Sequence, residues 1–191
     1  MNSLFREISV LIESETLQKR VFDLGQQITS FYDDKQPLHV AGVLKGCFIF
    51  MADLIRHIER PLQVDFMEIS SYGDSTISSG NIKITKDLSH DIENKHLLIV
   101  EDIIDTGLTM NVLIDLLYTR KPLSVNIASL LVKKEKNSLK YPVRFRGFDI
   151  GEKFVIGYGM DYMGYYRNLP FIGELSNEQA ELIKAGKMNG F

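Results

Sequence analysis

The feature that most restricts the fold is a strand–helix–strand alternation: HLLIVED (96–102), TMNVLIDLLY (109–118) and VNIASLLV (125–132). An unbroken run of Leu, Ile and Val with no polar alternation is the pattern of a strand buried on both faces. Between the two runs, Met110, Leu113, Ile114 and Leu117 recur at helical spacing and make one apolar face, and Pro122 ends the helix. Buried strands linked by a helix belong to a parallel sheet.

The same alternation occurs earlier. LHVAGVLKG (38–46) is a short strand ending at Gly46, CFIFMADLIRHI (47–58) a helix opening directly after it, and VDFMEISSY (64–72) a second strand. IKITKDL (82–88) alternates like a half-exposed strand, and residues 14–32 form an amphipathic helix through Leu17, Val21, Leu24, Ile28 and Phe31. GDSTISSGN (73–81) is small and polar and reads as a mobile loop. The expected class is α/β, an open parallel sheet flanked by helices. The stretch FRGFDIGEKFVIGYGMDYMGYYRNLPFIGEL (145–175) is rich in aromatics and glycine without a helical period, and is predicted to form short strands and loops beside the sheet. Ser176 with Gln179 makes a capping box for a last short helix, NEQAELIKA, closed by Gly186. No linker interrupts the chain. One domain over 1–191 is expected, its core at about 36–145 and a small hood lobe drawn from the N-terminal segment and about 146–191.

Bulk properties exclude several classes. A net charge of −3 argues against a general nucleic-acid binder. Cys47 is the only cysteine, which excludes an internal disulfide and a Cys-rich zinc site. MNSLFREISV lacks the apolar core of a signal peptide, and no apolar run reaches the roughly 18–20 residues of a membrane span. A cytoplasmic protein is expected.

At the carboxyl end of the 96–102 strand stand Glu101, Asp102 and Asp105, followed by Thr106-Gly107-Leu108-Thr109 at the start of a helix. Ligands of open parallel sheets gather at such strand ends. Free amides at a helix start form an anion site, Gly107 lets the backbone come close, and the threonine hydroxyls add donors. The loop therefore offers donors for a phosphate beside acceptors for hydroxyls or a hard cation, which fits a sugar phosphate. Receiver domains also carry an acidic pair after an apolar strand, but near their start and ahead of a phosphoacceptor Asp. Here the pair lies past mid-chain, and Asp149 does not end an apolar strand. GxxxxGK[ST], HExxH and GxSxG are absent, and GYGMDYMG misses the last glycine of GxGxxG.

VEDIIDTGLTM (100–110) resembles the phosphoribosyl-pyrophosphate loop of the type I phosphoribosyltransferases. LKGCFIF (44–50), SSYGDSTISSG (70–80), SLLVKK (129–134), KFVIGYGMDY (153–162) and YYRNLP (165–170) are similar, in order, to the motifs of the hypoxanthine-guanine phosphoribosyltransferase family. The resemblance spans about residues 4–172 and implies the type I sheet with its hood. It implies transfer of a phosphoribosyl group from phosphoribosyl pyrophosphate to a 6-oxopurine with release of pyrophosphate. Carried over residue by residue, Glu101 and Asp102 would accept the ribose hydroxyls and help place Mg²⁺. Residues Asp105, Thr106, Gly107, Leu108 and Thr109 would cradle the 5′-phosphate beside Ile103 and Ile104, with Asp105 also the base at purine N7. Lys45 and Gly46, with Arg167, would meet pyrophosphate, the family often having a cis peptide before the Lys-Gly step. Lys133 would donate to the 6-oxo group, Phe154 would stack on the purine, the Val155 backbone would meet its edge, and Asp161 would lie near a second Mg²⁺ and C2. Ser71 and Tyr72 would begin a lid. Relatives assemble as dimers or tetramers. Taken singly, Lys45 reads as an exposed lysine at a plain strand-to-helix turn, Lys133 as a solvated strand end, Phe154 and Val155 as core, and Asp161 and Arg167 each as a residue of some surface ion pair. His39, His57, His90 and His96 match none of the motifs. A xanthine-preferring relative, or a regulator on the same fold that senses phosphoribosyl pyrophosphate, remain the alternatives.

Overall fold

The computed structural model describes residues 8–32, 36–71, 82–133 and 138–184. Six strands form the main sheet: β2 (Leu38–Leu44), β3 (Leu62–Ser71), β4 (Ile82–Lys86), β5 (His96–Ile104), β6 (Ser124–Lys133) and β7 (Val143–Ile150), in the order β4-β3-β2-β5-β6-β7. Neighbours pair in parallel except β3 with β4, which are antiparallel. Helices α1 (Ser14–Phe31) and α2 (Phe48–Ile55) cover one face, and α3 (Leu108–Tyr118) covers the other.

Both faces of β5 are buried, as its unbroken apolar run requires. Leu98 and Val100 point toward the α1–α2 layer with Leu24, Phe50 and Leu54. Leu97 and Ile99 point toward α3 with Leu113, Ile114 and Leu117. The chain steps from β2 outward to β3 on one side, then returns to add β5, β6 and β7 on the other. That reversal opens a crevice above the carboxyl ends of β2 and β5. Into it project the 45–46 turn after β2 and the 102–109 segment that ends β5.

A second sheet of three strands, β1 (Ser9–Ile12), β8 (Val155–Ile156) and β9 (Ile172–Glu174), has the order β1-β9-β8 and is antiparallel throughout. The last helix, α4 (Asn177–Lys184), opens with the expected reciprocal cap: Ser176 N–H donates to Gln179 Oε1 at 2.9 Å and Gln179 N–H to Ser176 Oγ at 3.2 Å.

Two expectations change. Helix α2 stops at Ile55 rather than running to 58, because His57 and Ile58 close tight turns onto the carbonyls of Leu54 and Ile55. Residues 143–150 do not lie beside the main sheet but form its edge strand. Val143 and Phe145 face inward there, while Arg144 is exposed. The proposed mobile loop at 73–81 lies outside the described residues. The histidines are packed or surface groups: His39 is fully buried beside Asp65, and His96 Nδ1 lies 2.7 Å from Ser124 Oγ.

Candidate active site

Two adjoining cavities occupy the crevice. One, of about 340 Å³, is lined by Leu44, Gly46 and the whole run from Glu101 to Gly107, with Thr109 and Met110. The other, of about 270 Å³, is lined by Lys133, Lys153, Phe154, Val155, Met160 and Asp161. Asp102, Ile103 and Asp105 belong to both. A larger cavity of about 810 Å³ lies at the opposite end of the sheet, by the amino ends of β2, β3 and β5, among Leu38, Leu62 and Lys95, away from these acids.

The first cavity is built by the end of β5 and the start of α3. Gly107 sits at the helix N-cap in the left-handed region, with φ of 76°, and has no side chain to cap the first turn. The Leu108 N–H makes a long bond to Thr106 Oγ1 at 3.4 Å, and the next amides, at Thr109 and Met110, adjoin the cavity at the positive end of the helix dipole. Opposite them is the Lys45–Gly46 turn, preceded by a cis Leu44–Lys45 peptide. Gly46 leaves no room for a side chain, since an added Cβ would stand 1.6 Å from Asp102 Oδ2.

Glu101 and Asp102 have no direct ion-pair partner among the described residues. Burial, then the neighbouring Asp102, push the Glu101 carboxyl well above the ordinary range. Its Oε2 is buried without a hydrogen-bond partner. Burial also raises Asp102, to about 6, opposed by the N–H groups of Ile103 and Asp102 and by the charge of Arg167. Among the described residues no group of three or more His, Cys, Asp or Glu could hold a metal alone. A lone-standing buried acceptor and two acids short of positive charge fit a hard cation that brings most of its oxygen ligands with it on a phosphate.

In the second cavity the end of β6 faces the end of β5. Lys133 Nζ donates to Asp105 Oδ2 at 3.0 Å. Phe154 is exposed at the mouth, edge-on to Tyr162 with centroids 5.4 Å apart. Val155 is buried in β8, and Lys153 pairs with Glu174 at 2.5 Å. Asp161 is already engaged: Arg167 Nη2 approaches its Oδ1 at 2.5 Å, and the Gly164 N–H donates to Oδ2 at 2.7 Å. Arg167 Nη1 also donates to the Gly159 carbonyl at 2.7 Å.

The structure thus brings Gly46, Glu101–Thr109, Lys133, Phe154, Val155 and Asp161 to one crevice, with Arg167 bonded to its rim. Ser71 ends β3, its backbone paired with Ile82, and Tyr72 lies outside the described residues. Sequence reasoning did not single out Lys153, Met160 or Gly159. Lys153 and Met160 stand inside the KFVIGYGMDY motif and line the second cavity. Gly159, with φ of 105°, would place a Cβ 2.1 Å from the Gly46 carbonyl oxygen, a contact no local pattern announces.

Residues 13–163 match the model of the phosphoribosyl transferase domain. The hypoxanthine-guanine phosphoribosyltransferase of Bacillus subtilis is 51% identical over 166 residues, covering 87% of this chain and 92% of that protein. The protein of the same description from Dictyostelium discoideum is 48% identical over 172 residues, covering 88% and 96%. A crystal structure of a hypoxanthine phosphoribosyltransferase from Staphylococcus aureus superposes with a TM-score of 0.89 at 43% identity, covering 93% of this chain and 97% of that one. With a shared domain model, close relatives and a matching fold, the chain belongs to the type I phosphoribosyltransferases, in the hypoxanthine-guanine phosphoribosyltransferase family.

Proposed function

We propose that this chain moves the 5-phosphoribosyl group of phosphoribosyl pyrophosphate onto hypoxanthine or guanine, releasing pyrophosphate and giving IMP or GMP. The observation that carries the reading is the Asp105–Lys133 couple between the two cavities. Purine N7 and O6 are neighbours on one edge of the base. A carboxylate beside an ammonium offers an acceptor for the N7 proton and a donor for O6 on that edge. Adenine carries an amino donor where the 6-oxo group would be, which would leave its amino group and Lys133 unpaired.

The residues act as follows. The first-turn amides of α3 and the hydroxyls of Thr106 and Thr109 hold the 5′-phosphate, which sets the sugar over β5. Glu101 and Asp102 accept the ribose hydroxyls. These two would also hold Mg²⁺ bound to the substrate, which supplies positive charge beside the departing pyrophosphate. Gly46 and Arg167 flank the pyrophosphate, with Lys45 at the same turn. Phe154 stacks on the purine and the Val155 backbone meets its edge. Asp161, near C2, is a candidate second Mg²⁺ contact. As the C1′–oxygen bond breaks, positive charge builds on the ribose ring. The Asp105 carboxylate stabilises that charge and then takes the N7 proton as N9, the nucleophile, forms the new bond to C1′. Ser71 and Tyr72 would begin a lid that keeps water from that cation. The chain would act as one domain, in the cytoplasm, as a homodimer or homotetramer.

The test is product formation with phosphoribosyl pyrophosphate, Mg²⁺ and each of hypoxanthine, guanine, xanthine and adenine. Nucleotide from the first two and little from adenine supports the reading. Product chiefly from xanthine moves the specificity, and none from any base in folded protein that binds phosphoribosyl pyrophosphate leaves a sensing role.

A further inference from the structure

The hood turn at 157–160 and the core turn at 45–46 are in direct contact. An added Cβ on Gly159 would meet the Gly46 carbonyl oxygen at 2.1 Å, and one on Gly46 would meet Asp102 at 1.6 Å. Gly159, Gly46 and Asp102 therefore stack in three close layers. Arg167 joins the outer layer through its bonds to the Gly159 carbonyl and to Asp161.

Different anchors hold the two halves of this hood segment. Residues 154–156 are tied to β9: Val155 pairs with Glu174, Ile156 with Gly173, and Leu175 N–H donates to the Phe154 carbonyl at 3.0 Å. Pairing with β9 ends at Ile156. The next residues bond within the hood, Tyr158 N–H to Leu169 O and Gly159 N–H to Arg167 O, both at 2.9 Å. The Tyr158 side chain instead leaves the hood. It is buried in the core cluster that contains Phe50 and Leu54, and its hydroxyl donates to Asp53 Oδ2 at 2.6 Å. Asp53 lies on α2, the helix that starts from the Lys45–Gly46 turn. Burial, then Asp53 as acceptor, push the phenol upward, so it stays a donor across the neutral range.

We propose that Tyr158 is a positioning residue, whose bond to Asp53 fixes the Gly159–Arg167 rim against the Lys45–Gly46 turn and so shapes the pyrophosphate half of the site more than the purine half. The inference rests on the functional reading above. It separates two substrates: most of the purine half is set by β8–β9 pairing, by Lys133 at the end of β6 and by Asp105 just past the end of β5, and only Met160 and Asp161 of that cavity lie on the segment Tyr158 anchors.

The experiment uses the whole chain with Tyr158→Phe, Asp53→Leu, the double variant and Asp53→Asn. KM for phosphoribosyl pyrophosphate, KM for hypoxanthine, kcat, melting temperature and calorimetric binding of phosphoribosyl pyrophosphate with Mg²⁺ are measured for each. Tyr158→Phe and Asp53→Leu should raise KM and Kd for phosphoribosyl pyrophosphate about tenfold, the usual size for losing a hydrogen bond to a charged group. KM for hypoxanthine should change much less. The double variant should be no worse than Asp53→Leu, which removes the same Tyr158 bond together with the exposed 3.4 Å contact from Arg56 Nη1 to Asp53 Oδ1. Asp53→Asn keeps an acceptor oxygen and should restore wild-type values. Equal loss toward both substrates, a fall in kcat alone, unchanged KM in folded variants, or single variants that no longer fold would each overturn the proposal. Wild-type protein that binds phosphoribosyl pyrophosphate but transfers nothing overturns the functional reading instead, and the calorimetric arm then still decides the role of Tyr158.

Discussion

Lys133 Nζ and Asp105 Oδ2 stand 3.0 Å apart where the two cavities meet, with the Asp105 side chain 53% exposed and that of Lys133 14%. An ion pair with one partner half in water stabilises a fold by less than about 1 kcal/mol. Asp105→Asn should therefore leave the melting temperature nearly unchanged. Loss of general-base work should lower kcat by about 10²- to 10⁴-fold. Initial rates and a thermal melt on the same preparation check both halves.

Lys133 tests base choice. If Lys133 is the donor to O6 as proposed, Lys133→Met should lower kcat/KM for hypoxanthine about 10- to 100-fold, the size of a lost charged hydrogen bond. Adenine loses nothing, so the hypoxanthine-to-adenine ratio should narrow. A ratio that stays at the wild-type value would place discrimination elsewhere, with Lys153 next along the same wall.

Gly46 is constrained by space. A methyl group there would sit 1.6 Å from Asp102 Oδ2, so Gly46→Ala must displace either the carboxylate or the turn. The overpacking costs about 1–3 kcal/mol of stability. The larger effect should be on phosphoribosyl pyrophosphate, whose KM should rise while that for hypoxanthine changes little. Kinetics against each substrate in turn measure the difference.

Asp102 links stability to pH. Its carboxyl is held at about 6 against an ordinary 3.8, so the folded state binds more protons than the unfolded one between these values. Stability of the ligand-free protein should fall as pH rises through that window, and ionised Asp102 costs about 3 kcal/mol above it. Glu101 is shifted in the same direction by burial. Asp102→Asn should therefore melt higher than wild type at pH 7, by about 2–4 °C per kcal/mol recovered, and the two should converge near pH 4. Activity should fall, because the ribose contact and the Mg²⁺ contact go with the charge. Phosphoribosyl pyrophosphate with Mg²⁺ should stabilise the wild type more at pH 7.5 than at pH 5, as seen by thermal melts.

The layered core was legible because it is written locally. The runs at 38–44, 96–104 and 124–133 and the apolar faces of α1 and α3 each fit within one element, and so does the Glu101–Thr109 loop. Strand β7 was not legible. In VRFRGFDI the alternation of Val143 to Arg146 loses its phase at Gly147, and the strand merges with the aromatic, glycine-rich segment after it. What sequence could not supply was pairing at long range. Gly159 against Gly46 and Tyr158 against Asp53 depend on how the hood meets the sheet. No spacing along the chain encodes that meeting.

The central claim is that one crevice holds the sugar phosphate and the purine on either side of Asp105. The direct measurement is a crystal structure of the protein with GMP. The account predicts the 5′-phosphate on the amides of residues 106–109, guanine O6 within hydrogen-bond distance of Lys133 Nζ, and the ring against Phe154. GMP bound elsewhere, for example in the cavity beside Lys95, or bound in the crevice with its base turned away from Lys133, would contradict it.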